Sequence, residues 1–163
     1  MKYESPNYWV VSTHKLLPLP WMQIELETIA KDLKFPMDEL AVNIKNSERW
    51  WAGRYFGHGI PDVSPFYPLR DSLHFTILRV GNPIYPAKLR RDIIVTNLWE
   101  NFIMLAAHEL RHHYQHCIRY HKEHPHYIGQ CELLKREKDA NDYTASYLAR
   151  WKESTHKGSL PLM

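Results

Sequence analysis

From Asn97 onwards, the hydrophobic residues of this chain follow the period of an α-helix. Asn97 is a favourable N-cap residue, and Glu100 stands three positions later as in a capping box, so a helix is predicted to begin here and continue to about Tyr120. After a connection that contains His and Pro, a second helix is predicted from about Cys131 to Trp151. The last third of the chain is therefore expected to be almost wholly helical.

The first half of the chain predicts short strands, turns and one helix. Segments rich in β-branched and aromatic residues predict strands over 8–12, 40–44, 50–56 and 72–80. Helical spacing of apolar residues predicts a helix over 21–33, which Pro36 ends. The second and third strands flank a short polar turn and are predicted to pair as a hairpin, whereas three prolines between 57 and 71 predict a loop.

The composition is that of one globular domain. The 163 residues are 44% hydrophobic and 24% charged, and the net charge of +3 does not demand a nucleic-acid partner. No apolar stretch approaches the roughly 18 to 20 residues of a membrane span, and no signal peptide is visible, so we expect a cytoplasmic protein with no membrane partner. Two cysteines, Cys117 and Cys131, are too few for a disulfide framework.

Histidine is the unusual residue, since seven of the 11 histidines lie between 108 and 126. His108, Glu109 and His112 form an H-E-x-x-H motif within the first predicted helix. Positions i and i+4 of a helix differ by about 40° around the axis and about 6 Å along it, so both imidazoles can bind one metal ion. Glu109 is displaced by one residue, which places its carboxylate where it can accept a proton from metal-bound water. The motif predicts a Zn²⁺ site of catalytic type.

A catalytic zinc site normally has three protein ligands, so a third residue is expected. His116 is about 12 Å of helical rise from His108, too far to bind the same ion, and His113 points to another side of the helix. The remaining candidates lie in the connection and at the start of the second helix: His121, His124, His126, Glu132 and Glu137.

Glu137 is favoured because it shares the apolar side of its helix, whereas Asp139 is assigned to the polar side together with Asp142, Ser146 and Arg150. A carboxylate on the buried side needs a partner, which metal coordination would supply. A salt bridge between Glu137 and Arg111 or another helix residue is the alternative. Asn141, one turn after Glu137, is a candidate for a hydrogen bond to a ligating histidine.

These motifs resemble those of zinc metallopeptidases with the zincin fold, in particular the gluzincins. The match consists of HELRH at 108–112 and EKDANDY at 137–143, which is similar to the E-x-x-A-[DN] signature of the ImmA/IrrE family and of HtpX-type peptidases. The resemblance implies that His108, His112 and Glu137 bind zinc, that Glu109 is the general base and acid, and that Asn141 is the supporting residue. Since HtpX-type enzymes carry membrane helices, the soluble relatives are the better match.

A second resemblance is to SprT-like peptidases, in which an upstream strand precedes the H-E-x-x-H helix. Residues 52–54 (AGR) lie in a predicted strand, and His126 lies fourteen positions after His112, near the family's spacing for a histidine as third ligand. The His-Gly-Pro-x-Phe context of that family is missing around His126. We therefore rank Glu137 above His126 as the third ligand.

The sequence thus predicts an α+β fold, in which a small twisted sheet packs on the H-E-x-x-H helix and the second helix completes a cleft. One domain, 1–163, would comprise a sheet-containing part (1–96), a helical metal-binding part (97–152) and a tail (153–163). The predicted function is zinc-dependent hydrolysis of peptide bonds in a protein or peptide substrate. Strand 72–80, the last predicted before the helix, is expected to be the edge to which a substrate adds. Candidates for stabilising the oxyanion are Tyr143, Tyr147, Arg111 and a histidine of the connection.

Two other functions fit the same motifs. A non-catalytic zinc-binding regulatory module would keep the ligands without using Glu109 as a base. A SprT-like protease would act on DNA-associated proteins, with Lys88, Arg90, Arg91 and Arg111 as a modest basic surface.

Overall fold

The computed structural model describes residues 2–4, 9–34, 40–46, 51–56, 74–89, 92–116 and 133–155. Within these residues the elements are β1 (Lys2–Glu4), β2 (Trp9–Ser12), α1 (Leu19–Leu33), β3 (Leu40–Asn46), β4 (Trp51–Phe56), β5 (His74–Val80), β6 (Ala87–Leu89), β7 (Ile93–Val95), α2 (Leu98–His116) and α3 (Leu133–Thr155). The fold is mixed α/β and compatible with the predicted α+β class. In the part of the chain that is described, we find no helix with the length and apolar character needed to cross a membrane.

Five strands form one sheet in the order β1-β2-β3-β5-β4. The inner strands β2, β3 and β5 run parallel, and β1 and β4 pair antiparallel at the two ends. The predicted hairpin between segments 40–44 and 50–56 is wrong. These segments lie in β3 and β4, and β5 is placed between them in the sheet. Ile44 of β3 pairs with Leu78 of β5, and Leu78 pairs in turn with Gly53 of β4.

The inner strands β3 and β5 are buried on both faces. Residues 41–44 are consecutive and all buried, as are residues 76–78. Because successive side chains of a strand point to opposite faces, such runs need cover on both sides of the sheet. β5 also has a strand neighbour at each edge, β3 on one side and β4 on the other. The prediction that segment 72–80 is a substrate-binding edge is therefore also wrong.

Helix α2 begins as the capping residues predict. The Asn97 side-chain oxygen accepts a hydrogen bond from the Glu100 backbone N–H at 2.9 Å. The Glu100 carboxylate accepts from the Thr96 backbone N–H at 2.7 Å and from the Thr96 hydroxyl at 2.8 Å. In the usual capping box the carboxylate accepts from the N–H of the N-cap residue, here Asn97. In this chain the Glu100 carboxylate accepts instead from the residue before it, Thr96.

Helix α2 is the centre of the molecule. All ten residues from 101 to 110 are buried, so this part of the helix is covered on every side and not only on the predicted apolar face. It contacts α1, α3, β4, β5 and β7. Trp21 of α1, for example, packs on Phe102 with ring centroids 5.5 Å apart. Residues 101–110, which include His108 and Glu109, are thereby held between the sheet and the other two helices.

Candidate metal centre

Two imidazoles and one carboxylate converge where α2 faces the start of α3. The Nε2 atoms of His108 and His112 lie 3.0 Å apart. Glu137 Oε1 lies 2.9 Å from His112 Nε2, and Glu137 Oε2 lies 3.4 Å from His108 Nε2. The structure therefore brings together the three residues that the sequence predicts as metal ligands.

These separations fit a shared cation. Ligand atoms placed tetrahedrally around zinc at bond lengths near 2.0 to 2.1 Å are about 3.3 Å apart. The three measured separations of 3.0, 2.9 and 3.4 Å are close to that value. The donor set of two imidazole nitrogens and one carboxylate also suits a catalytic zinc site. The His-His-Glu group could thus hold a metal ion, whose identity the geometry alone does not fix.

The site is buried on one side and open on the other. The His108 side chain is 1% exposed, whereas that of Glu137 is 41% exposed. His112 is intermediate, with 15% of its side chain exposed. A bound ion would therefore be reached from the Glu137 side, while the histidines are fixed by the packed centre of α2.

Glu109 lies beside the two histidines in the buried part of α2 and is 3% exposed. Its carboxylate is close enough to His112 to favour the charged form of that imidazole. This placement matches the prediction of a carboxylate next to the candidate ligands. Its role as a base stays a prediction.

The ionisation of the site follows from its contacts. Burial would lower the pKa of His112, but the hydrogen bond to Glu137, the charge of Glu109 and the hydrogen bond to Gln115 outweigh it, and the pKa is raised. Hydrogen bonds to His108 and then His112 hold the pKa of Glu137 well below its usual range. Glu137 is thus ionised at neutral pH, as a carboxylate must be to bind a cation.

Helix α3 is held in register with α2 by two side chains of α2. Arg111 donates from Nε to Asp139 Oδ2 at 2.8 Å and from Nη2 to Asp139 Oδ1 at 3.1 Å. Gln115 donates from Nε2 to the Arg136 carbonyl at 2.9 Å and to Asp139 Oδ2 at 2.8 Å. Residues 136 and 139 flank Glu137, so these bonds fix the segment that carries it.

Asp139 corrects the sequence analysis, which assigned this residue to the polar side of the helix. Asp139 instead faces α2, with 26% of its side chain exposed. Among the described residues Arg111 pairs with Asp139 and not with Glu137. The other form of the predicted alternative, a pair with another helix residue, agrees with the contacts of Glu137 to His108 and His112. The buried Gln115 was also missed, although its place three residues after His112 puts both side chains on one face of α2.

The remaining candidate residues are placed as follows. The Asn141 Oδ1 atom is buried and makes no hydrogen bond within the described part of the chain, so the structure shows no bond from this oxygen to a histidine. His126, with His121, His124 and Glu132, lies outside the described residues. The support role of Asn141 and the alternative ligand His126 stay predictions.

Of the candidates for an oxyanion-stabilising group, Tyr143 and Arg111 bond to other residues, and the histidines of the connection lie outside the described residues. The Tyr143 hydroxyl donates to Asp32 Oδ2 at 2.8 Å, and burial, followed by this bond, raises the pKa of Tyr143. The Tyr147 ring stacks on Tyr143 with centroids 5.9 Å apart. Of the basic residues considered for DNA, Lys88 pairs with Asp92 at 3.3 Å, and Arg90 and Arg91 lie outside the described residues.

Comparisons with protein-family models, curated proteins and solved structures give no match. No family is therefore assigned to the chain.

Proposed function

We propose that this protein is a zinc-dependent metallopeptidase of the gluzincin type, with a minimal zincin fold, His108, His112 and Glu137 as its ligands and Glu109 as its general base. The observation that carries the proposal is the convergence of the three candidate ligands at separations that suit one ion. The resemblance of the two helical motifs to the ImmA/IrrE family agrees with this proposal.

In the proposed reaction, His108, His112 and Glu137 would hold an ion that would supply Lewis-acid chemistry, polarising the scissile carbonyl and making an attacking water molecule more acidic. Glu109 accepts a proton from that water and delivers it to the leaving amine. His108 is held by the buried part of α2, and the imidazole of His112 is held by its contacts with Gln115 and Glu137. Glu137 contributes the negative charge and, being partly exposed, leaves room for the substrate on its side of the site.

The substrate is proposed to be a protein or peptide in an extended conformation. Since β5 is an inner strand, the edge for such a segment has to be sought elsewhere. Among the described strands, β4 is at the end of the sheet and also contacts α2. An extended peptide that adds to β4 would lie beside the helix that carries Glu109.

The first test measures the zinc content of the wild-type chain and compares it with the zinc content and cleavage activity of Glu109→Gln. The purified wild-type chain should hold one zinc ion, measured by elemental analysis after dialysis. Glu109→Gln should keep that zinc and its melting temperature, but lower chelator-sensitive cleavage of denatured protein substrates by about 100-fold or more, because glutamine cannot accept the proton.

Glu100→Gln is the matched control, since it makes the same chemical change in the same helix at a capping position. It should lower stability while leaving cleavage at the wild-type level per folded molecule. Equal cleavage by Glu109→Gln and wild type would refute the proposed mechanism. Zinc binding without cleavage of any substrate would favour the non-catalytic regulatory module, and salt-dependent DNA binding would favour the SprT-like alternative.

A further inference from the structure

Gln115 has an orientation that its neighbours determine. Its side chain is 1% exposed, and its amide nitrogen faces the Arg136 carbonyl and Asp139 Oδ2. A carbonyl oxygen only accepts hydrogen bonds, and the Asp139 carboxylate accepts two more from Arg111. Exchanging the amide nitrogen and oxygen would set oxygen against oxygen at both contacts. The amide oxygen must therefore point the other way.

That oxygen, Oε1, lies 2.9 Å from Nδ1 of His112. An amide oxygen cannot donate, so Nδ1 has to carry the hydrogen of this bond. The other ring nitrogen, Nε2, is the one that faces His108 and Glu137. In the absence of a cation, Nε2 can carry a second hydrogen toward Glu137, and a bound cation would replace that hydrogen.

Gln115 also connects two of the candidate ligands. It binds His112 with its oxygen, and with its nitrogen it binds residues 136 and 139, which flank Glu137. One side chain therefore orients the imidazole from α2 and holds the segment of α3 that supplies the carboxylate. Asp139, fixed by Arg111, keeps Gln115 in this orientation.

We propose that Gln115 is a positioning residue that directs Nε2 of His112 toward the metal and couples His112 to Glu137. This inference rests on the proposed function for the identity of the cation. The hydrogen bond itself is independent of any cation, which allows the two proposals to be tested separately.

The test compares Gln115→Leu with Gln115→Glu and uses Gln23→Leu as the control. Leucine removes all three hydrogen bonds at similar volume. Glutamate keeps an acceptor for Nδ1–H, but its second oxygen lies against the Arg136 carbonyl and Asp139 and can donate to them only when protonated. Gln23 is likewise a buried glutamine, 4% exposed, but it lies on α1, where it donates to Glu27. The control therefore makes the same change away from His112.

The first measurement is the nitrogen-15 NMR signal of Nδ1–H of His112, in the zinc-free protein at about pH 6, just below the ordinary histidine pKa. The signal is assigned by its loss in His112→Ala. Wild type, Gln23→Leu and Gln115→Glu should each show a hydrogen-bonded Nδ1–H that exchanges slowly with solvent. Gln115→Leu should lack this signal because its Nδ1–H has lost the acceptor.

The second measurement is zinc affinity by competition with a chelator. Gln115→Leu should bind zinc about 10- to 100-fold more weakly than wild type, the usual cost of losing a group that orients a metal ligand. Gln115→Glu should recover part of that loss, and Gln23→Leu should bind zinc as tightly as wild type.

The inference is overturned if the Nδ1–H signal persists in Gln115→Leu, if it is missing from Gln115→Glu, or if Gln23→Leu weakens zinc binding as much as Gln115→Leu. Should Gln115→Leu not fold, Gln115→Glu takes its place in the zinc measurement: zinc affinity equal to wild type would overturn the coupling of His112 to Glu137, because the glutamate lacks the amide donors to residues 136 and 139. If the wild-type chain takes up no zinc, the proposed function fails, whereas the Nδ1–H signal of the zinc-free protein still supports or refutes the role of Gln115.

Discussion

Helix α3 takes part in two polar clusters that are organised in opposite ways. The α1–α3 cluster consists of Glu25, Asp32, Tyr143, Arg150 and Trp151. In it, Arg150 and Tyr143 donate three hydrogen bonds to Asp32, and the Trp151 indole donates to Glu25 at 3.1 Å. Hydrogen-bond donors there face acceptors.

The α2–α3 cluster consists of His108, His112, Gln115 and Glu137. Here two imidazole nitrogens face each other at 3.0 Å, and one carboxylate lies against both. Each of these three groups can offer a lone pair to the same point. Polar residues of one helix thus differ in what faces them: complementary partners join α1 and α3, whereas the three converging groups of the α2–α3 cluster could hold a cation.

The sharpest test of this difference removes one carboxylate from each cluster. Glu137→Ala should weaken zinc binding by at least about 100-fold, because a lost ligand should cost more than the 10- to 100-fold typical of a supporting residue. Asp32→Ala should leave zinc affinity unchanged. Calorimetric titration of zinc into both variants measures the effect.

The same titration distinguishes the two candidates for the third ligand. His126→Ala should change zinc affinity much less than Glu137→Ala. The reverse ranking would transfer the third ligand to His126 and move the protein toward the SprT-like resemblance.

A second prediction concerns the part of the α2–α3 contact that holds the helices together. Asp139→Asn should lower the free energy of unfolding by about 1 to 2 kcal/mol, because it weakens partly buried, charge-assisted bonds from Arg111. Asp142→Asn makes the same change on the exposed side of α3, where Asp142 pairs with Lys138. That control should cost about 0.5 kcal/mol or less. Equal costs in urea unfolding would contradict a joining role for Asp139.

The smallest expected effect is the pH dependence of the α1–α3 cluster. Bonds from Arg150, and to a lesser extent from Tyr143, hold the pKa of Asp32 below its ordinary 3.8. A carboxyl with a depressed pKa stabilises the fold above its unfolded-state pKa, and this stability is lost as the pH falls through the folded-state value.

Asp32→Asn should accordingly cost about 1 kcal/mol or less at neutral pH, since Asp32 and Arg150 are partly exposed. The difference between variant and wild type should shrink below about pH 4. Thermal unfolding of both proteins over a pH series measures it. A difference that stays constant down to about pH 2 would show that the Asp32 charge is not responsible.

Local features of the sequence predicted more than its long-range pairings. The positions of His108 and His112 follow from helical spacing alone, and Asn97 marks the start of α2 because capping acts within one turn. The hairpin prediction failed because the residues of a strand do not determine which other strand pairs with it. β3 pairs in parallel with β2 and with β5, and the chain reaches β5 only after β4.

Asp139 shows the same limit on a helix. The periodicity of α3 places Asp139 on the polar side, but the cation that draws it toward α2 is Arg111, 28 residues earlier. Glu137 could be predicted because its apolar neighbours indicate a buried side. A polar contact between two helices leaves the spacing of apolar residues in each helix unchanged. The bonds of Gln115 and Asp139 therefore cannot be predicted from that spacing and are identified only from the packed helices.

The contacts of α3 also differ in the number of residues that separate the two bonded partners along the chain. The bonds from Arg111 and Gln115 to Asp139 span 28 and 24 residues, whereas those from Arg150 and Trp151 to α1 span 118 and 126. Because the entropy of loop closure grows with the logarithm of length, the longer loops cost roughly 1.2 kcal/mol more to close. Short loops also close sooner during folding. The pairing of α2 with α3, and with it the His-His-Glu group, is thus expected to assemble before α1 docks.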